Sequence, residues 1–154
     1  MLNAYGLRRH LGAVLVLACG LGAGGVAHAI EYRSVAAPAI LYDVPSDKGK
    51  RLFIVSAGTP VEVVVTLDKW IKVRDPGGAI TWIERSALAT KRTVQVTATR
   101  ALVRKQPTES SAPVFEAAKD VVLELADAPA EGWAKVRHVD GASGYVRVNE
   151  VWGL

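Results

Sequence analysis

Short runs in which apolar residues alternate with polar or aromatic ones recur along the chain after residue 60. In Trp70–Arg74 the aliphatic residues Ile71 and Val73 occupy every second position, which is the pattern of a half-buried β-strand. Turn-forming residues such as Asp75-Pro76-Gly77 separate the runs. The pattern predicts strands at Val61–Leu67, Trp70–Arg74, Ala79–Ile83, Val121–Leu125, Trp133–Arg137 and Gly144–Val146.

The chain after residue 30 has no stretch with the 3.6-residue apolar period of a long helix. Ala117–Ala128 is rich in alanine and leucine, but its Val121-Val122 pair and its place in the repeat described next favour a strand. The sequence therefore predicts an all-β fold with no helix longer than a turn or two.

An internal repeat organises this part of the chain. Residues 39–88 match residues 101–151 with an offset of 62 that becomes 63. The clearest match places Trp70–Arg74 on Trp133–Arg137, and a later one places Trp82-Ile83 on Tyr145-Val146. A single one-residue shift over the whole alignment indicates a duplicated unit. We therefore expect two small domains, at residues 30–88 and 89–154, held close together because the junction Ala89–Arg92 is short.

Alternation also predicts which aromatic side chains share a face. Ile71, Val73 and Ile83 should point to the interior, and Trp70 and Trp82 to the other side. If Asp75-Pro76-Gly77 is a three-residue hairpin loop, Trp70 lies directly opposite Trp82.

The same reasoning about loop length and cross-strand pairing applies to the second copy. A three-residue loop at His138-Val139-Asp140 would set Trp133 opposite Tyr145. Each copy is thus predicted to carry an aromatic pair on the outside of a hairpin. Such a pair suits either a shallow stacking surface for a ligand or cross-strand packing that stabilises a small domain.

The first 29 residues have the three parts of a secretory signal peptide. Arg8 and Arg9 form a basic start, an apolar stretch follows, and Ala27-His28-Ala29 is a small-x-small cleavage site. We expect cleavage after Ala29 and an exported, periplasmic or secreted protein without stable membrane insertion, because the apolar run is too short and glycine-rich to span a bilayer. A lipoprotein signal ending at Cys19 is the weaker alternative, since the residues after Cys19 stay apolar.

Cleavage would change the inventory of reactive groups. Cys19 is the only cysteine, and its loss removes every thiol and disulfide. Arg8 and Arg9 are also lost while all acidic residues lie downstream, so the net charge falls from +4 to +2 and predicts no nucleic-acid partner. His138 remains as a lone histidine in a predicted turn, which leaves no histidine-based triad or metal site. We expect no enzyme, no metal and no cofactor.

The order of these motifs resembles the bacterial SH3 (SH3b) domain. The first copy has Leu41–Ser46, Gly58–Val63, Trp70–Arg74 and Gly78–Ile83 in the family's order, and the second keeps Pro107, Trp133, Lys135–Arg137, Gly141 and Tyr145. The resemblance implies two small SH3-like β-barrels in tandem after a signal peptide, each five-stranded. It also implies an adaptor for the cell envelope that binds peptidoglycan or peptides.

The sequence predicts the class of function and not the identity of the ligand. The first hypothesis is a non-catalytic module that binds peptidoglycan or an envelope peptide; the alternative is a protein–protein scaffold of an envelope complex with no small-ligand groove. If a groove exists, its aromatic residues are expected to carry it: Tyr42, Trp70, Trp82, Trp133 and Tyr145. The first copy has the richer aromatic set, because Tyr42 is replaced by Arg104 in the second, and we expect it to be the binder.

Overall fold

The computed structural model describes residues 30–154, and the predicted signal peptide over residues 1–29 lies outside the described residues. The described residues form two seven-stranded sheets, one within residues 31–89 (the first unit) and one within residues 93–152 (the second unit). Their only helical segments are the 3₁₀ turns Arg85–Ala87 and Val148–Glu150. None of the helices in this part of the chain could cross a membrane. The predicted all-β fold is confirmed, and strands rather than a helix lie within residues 117–128.

The two sheets have the same topology. The first unit contains β1 Glu31–Val35, β2 Ala39–Tyr42, β3 Arg51–Val55, β4 Pro60–Thr66, β5 Trp70–Arg74, β6 Ile80–Glu84 and β7 Leu88–Ala89. The second contains β8 Thr93–Val96, β9 Arg100–Arg104, β10 Pro113–Ala118, β11 Val122–Leu125, β12 Trp133–Arg137, β13 Ser143–Arg147 and β14 Val151–Trp152. The strand orders are β3-β2-β6-β5-β4-β1-β7 and β10-β9-β13-β12-β11-β8-β14, so each position in one sheet has its counterpart seven strands later in the other.

Each unit buries its own apolar core. The first core is built around the fully buried side chains of Leu41, Ile71 and Ile83. At the matching positions of the second unit the side chains are smaller, namely Val103, Ala134 and Val146. The core residues alternate along the strands with less buried ones, which confirms the predicted faces. Two separate cores agree with a tandem repeat in which each copy folds around its own interior.

The predicted hairpin register is wrong by two residues in both units. Trp70 pairs with Glu84 and not with Trp82, whose cross-strand partner is Lys72. In the second unit Trp133 pairs with Arg147, and Tyr145 with Lys135. A shift by two keeps every side chain on its predicted face, because side chains in a strand alternate with a period of two.

The cause of the shift is the position of the hairpin loops: the three residues that turn the chain are Pro76–Gly78 in the first unit and Val139–Gly141 in the second, one residue later than predicted. In the first unit the Asp75 N–H donates to the Ala79 carbonyl at 3.0 Å, and the Asp75 carboxylate accepts from the Ala79 N–H at 2.9 Å. The second loop closes with the bond from the His138 N–H to the Ala142 carbonyl at 2.8 Å. Gly78 and Gly141 have φ values of 89° and 95°, a left-handed conformation that glycine adopts without strain.

The two units contact each other through a small junction. The Thr93 hydroxyl donates to the Gly58 carbonyl at 2.6 Å, which leaves its oxygen to accept from the Ser34 hydroxyl, also at 2.6 Å. Ser34 and Thr93 are both buried. Beside them, the rings of Tyr32 and Trp152 meet edge-on with their centroids 5.0 Å apart. The short connection between the sheets is therefore accompanied by direct packing of the first unit on the second.

Candidate functional site

The structure brings together the three candidate site residues of the first unit. Tyr42 on β2 is the backbone partner of Trp82 on β6. The Tyr42 ring also meets the Trp70 ring edge-on, with centroids 5.2 Å apart. Tyr42 is buried, whereas Trp70 and Trp82 are half-buried and keep part of their surface exposed. The first unit therefore groups three aromatic residues on adjacent strands, and we call this group, formed by Tyr42, Trp70 and Trp82, the aromatic face.

A lysine lies over one end of the aromatic face. The Lys72 ammonium is 5.5 Å from the centroid of the Trp82 ring, within the range of a cation–π contact. The side chain comes from the cross-strand partner of Trp82, so the observed register places it there. Trp82 is therefore partly occupied by the protein's own cation, and Trp70 is the tryptophan of the face that no cation covers in the described residues.

A cleft of about 560 Å³ opens beside Trp70. Three acidic side chains line it, together with two basic ones and a serine. Its lining is Asp47, Asp68, Lys69, Trp70, Glu84, Arg85 and Ser86. A smaller cleft of about 260 Å³ shares Glu84 and is lined also by Tyr42. The aromatic face thus borders a concave surface whose rim is charged, the kind of surface on which small ligands are oriented by a few polar groups.

The candidate residues of the second unit do not form an equivalent surface. Trp133 is only 5 % exposed, because the guanidinium of Arg147 lies 4.1 Å from the centroid of its ring. Arg147 Nε also donates to the Glu109 carboxylate at 2.6 Å, and Arg104 lies 3.5 Å from that carboxylate. Tyr145 is the partner of Arg104 and of Lys135 in the sheet and packs against neither Trp133 nor another aromatic ring in the described residues.

Sequence reasoning missed the charged residues that separate the two sites. Glu84 and Arg147 occupy equivalent positions, immediately after the matched Ile83 and Val146, and carry opposite charges. Comparing the two copies for charge reversal, and not only for identity, would have found them. The observed register gives the reason that they matter, since each is the cross-strand partner of the tryptophan.

Two carboxyl groups of the second unit have pKa values displaced from their usual range. Burial raises the pKa of Glu150, and the nearby Glu109 carboxylate acts in the same direction. The pKa of Asp140 lies below its usual range because the carboxylate accepts hydrogen bonds from the Ala142 N–H and from His138. His138, the single histidine of the described residues, lies 3.1 Å from the Asp140 carboxylate, and its ring packs beside the Phe115 ring. Residues 30–154 contain no cluster of three metal-ligating side chains.

The comparisons with known proteins give a family. The family model described as the bacterial SH3 domain matches the chain twice, over residues 35–89 and over residues 97–153. A comparison with curated proteins returns no match.

Among solved structures, NlpC2 from Trichomonas vaginalis shares 12 % identity with a TM-score of 0.37, over 80 % of this chain and 48 % of that one. NlpC1 from Trichomonas vaginalis shares 15 % identity with a TM-score of 0.38, over 88 % and 50 %. An NlpC/P60 family protein from Bacillus cereus shares 17 % identity with a TM-score of 0.36, over 79 % and 56 %. The chain spans about half the length of each of these structures, and similarity at this level carries no argument about function.

Proposed function

Because the chain belongs to the bacterial SH3 domain family and carries two of its domains in tandem, we propose that it is an exported, non-catalytic module that binds peptidoglycan or a peptide of the cell envelope. Bacterial SH3 domains are cell-wall binding modules, which is the general basis for this proposal. The predicted signal peptide would place the module outside the cytoplasm, in agreement with such a ligand.

The observation that carries the proposal is the aromatic face of the first unit beside its two clefts. Trp70 and Trp82 keep exposed surface on a rigid sheet, and Tyr42 supports Trp70 from behind. Aromatic rings held in this way bind sugar rings or peptide groups with little loss of side-chain entropy. Trp133 offers no such surface, because Arg147 covers it. We therefore place the ligand on the first unit, with Tyr42, Trp70 and Trp82 as its contacts.

Cell-wall sedimentation with the purified protein tests this proposal. Trp82→Ala should weaken retention on wall material by roughly twofold to tenfold, since a lost aromatic contact costs about 0.5–1.5 kcal/mol beyond the lost area. Tyr145→Ala is the matched control, because it removes an aromatic residue at the equivalent position of the second unit. If circular dichroism shows that both proteins are folded, equal retention of wild type and Trp82→Ala would contradict the proposed site.

The non-catalytic part of the proposal rests on the chemistry available after export. The only cysteine of the sequence lies at position 19, before the predicted cleavage site. The lone histidine of residues 30–154, His138, pairs with Asp140 in the exposed loop of the second hairpin. A screen of the purified protein on muropeptides and peptides tests this part, and turnover by the protein would overturn it.

The alternative, a protein–protein scaffold, is favoured by the edge of the first sheet. Strand β3 pairs on one side only, with β2. Leu52, Phe53 and Ile54 on this strand are 39 %, 46 % and 72 % exposed. An apolar, unpaired edge is a surface on which a partner can add a strand. When mixed with wall material stripped of protein, a scaffold would stay in the supernatant. It would sediment only when its protein partner is supplied.

A further inference from the structure

The two copies of the repeat differ in charge at the positions that surround the tryptophan of β5 or β12. Four positions correspond: Trp70 with Trp133, Glu84 with Arg147, Asp47 with Glu109, and Tyr42 with Arg104. The second unit therefore places two arginines where the first unit has a glutamate and a tyrosine. The tryptophan and the carboxylate at the position of Asp47 are common to both.

In the second unit these residues form a complete binding arrangement for a cation. The Arg147 guanidinium lies over the Trp133 ring at 4.1 Å and donates from Nε to the Glu109 carboxylate at 2.6 Å. A guanidinium has a flat face that stacks on an aromatic ring and an edge of N–H groups that pairs with a carboxylate, so it uses both partners at once. The chain's own side chain thus occupies the site of the second unit.

In the first unit the same arrangement lacks its cation. Glu84 replaces the arginine, Trp70 is half-buried instead of covered, and the cleft of about 560 Å³ opens beside it. Asp47 and Glu84 both line this cleft, and Asp68 adds a third carboxylate. The counterparts of the ring and the carboxylate that hold a guanidinium in the second unit therefore border an open cleft in the first, together with two further acidic residues.

Two cations of the first unit also line the cleft, and neither fills the position of Arg147. The guanidinium of Arg85 donates to the backbone carbonyl of Leu67. Lys69 forms no ion pair within the described residues, and its ammonium is not over Trp70. Three carboxylates against two cations leave the lining with one net negative charge.

We propose that the cleft at Trp70 binds the guanidinium of an arginine side chain of a peptide ligand, in the place that Arg147 takes in the second unit. The guanidinium stacks on Trp70 and pairs with Glu84 and Asp47. The inference deepens the proposed function and rests on it, because it assigns a ligand chemistry to the first unit. A lysine-type ammonium fits less well, since it is more strongly hydrated and has no flat face.

Titration of the purified protein with three small probes that share a butyl chain tests the inference. The probes are n-butylguanidinium, n-butylammonium and the neutral n-butylurea, and the readout is the indole N–H signal of Trp70 in NMR spectra. We expect a saturable shift with butylguanidinium, at least threefold weaker binding of butylammonium, and no saturable shift with butylurea. A Trp70 signal that responds to butylurea as it does to butylguanidinium overturns the inference; equal binding of the two cations overturns the choice of arginine in favour of lysine-type amines.

Reciprocal substitutions supply the matched variants. Glu84→Gln should weaken butylguanidinium binding by roughly threefold to tenfold. Glu84→Arg should abolish it, because the new side chain can stack on Trp70 as Arg147 stacks on Trp133. Arg147→Glu should make the Trp133 signal respond to the probe. Glu84 is exposed, so its variants should keep the fold, and circular dichroism checks this. Unchanged binding by Glu84→Arg overturns the inference.

Wall sedimentation run in parallel separates the two proposals. A response of Trp70 to butylguanidinium without wall retention supports the cation site and contradicts peptidoglycan binding. Wall retention without a Trp70 response keeps the proposed function and removes the guanidinium site.

Discussion

One hydroxyl group, that of Thr93, makes two hydrogen bonds across the junction between the two units, and its removal should have a measurable effect. In Thr93→Val a methyl group of nearly the same shape replaces the hydroxyl. The Gly58 carbonyl then loses its donor and the buried Ser34 hydroxyl loses its acceptor, both at 2.6 Å in the structure. An unsatisfied buried polar group such as the Ser34 hydroxyl costs about 1–3 kcal/mol, and Gly58 is only half-buried, so the loss at its carbonyl costs less. We expect the free energy of unfolding to fall by about 2 kcal/mol.

Thr81→Val is the matched control, with the same chemical change and the opposite expected sign. Thr81 is as buried as Thr93, at 3 % and 7 % exposure, but its hydroxyl has no hydrogen-bond partner in the described residues. Removing an unsatisfied hydroxyl should be neutral or stabilising by up to about 1 kcal/mol. Thr93→Ser, which keeps the hydroxyl, should cost about 1 kcal/mol or less for the lost methyl group.

Urea unfolding followed by tryptophan fluorescence measures all three variants. Because the junction joins the units, we expect one transition for the wild type and a broader or divided one for Thr93→Val. The reasoning fails if Thr93→Val and Thr81→Val change stability by the same amount. It also fails if Thr93→Ser costs as much as Thr93→Val, since packing of the methyl group would then explain the effect.

Three further predictions follow from burial and charge. Ile71→Ala should lower the free energy of unfolding by about 2–5 kcal/mol, whereas Ile80→Ala, at a residue 49 % exposed on the next strand, should cost under about 1 kcal/mol in the same urea experiment. Gly144→Ala should destabilise by roughly 1–3 kcal/mol, because its new Cβ would lie within 3 Å of the Arg104 carbonyl oxygen and a Val103 methyl group; an unchanged melting temperature would contradict this. The pKa of Glu150 is raised in the folded state, so the folded protein holds its proton more tightly than the unfolded chain. This contribution to stability is present below the unfolded pKa and is lost as pH rises through the folded pKa. Glu150→Gln should therefore stabilise the protein at neutral pH. It should also reduce the change of melting temperature with pH between the unfolded and the folded pKa of Glu150.

The sequence predicted the fold and the strand faces better than the cross-strand partners. The faces of Ile71, Val73 and Trp70 follow from alternation alone, and a shift by two residues does not change them. The register depends on the loop, and Asp75-Pro76-Gly77 looks like a complete turn in the sequence. The bond from the Asp75 N–H to the Ala79 carbonyl places the turn at Pro76–Gly78 and needs Gly78 in the left-handed conformation. Two consecutive glycines, Gly77 and Gly78, do not tell from the sequence which of them adopts it.

The candidate site was predictable in its aromatic residues but not in its electrostatics. Trp70 and Trp82 follow from the repeat and the alternation, Tyr42 follows from its place beside a predicted strand of the first unit, and the structure brings the three together. The coverage of Trp133 by Arg147 could not be predicted from the assumed register, which placed Tyr145 opposite this tryptophan. Correct pairing places Arg147 there, so the error in the loop concealed the difference between the two copies.

The contact between Tyr32 and Trp152 has a consequence for the order of folding. Tyr32 belongs to the first strand of the first sheet and Trp152 to the last strand of the second, so this contact joins residues far apart in the sequence. Strands β1 to β7 pair only among themselves, and the first sheet can form before later residues are available. Trp152 lies on β14, which pairs with β8, and we expect a contact between residues so distant in the sequence to form late. Full protection of Tyr32 from solvent and protease should then require the second unit as well as the first.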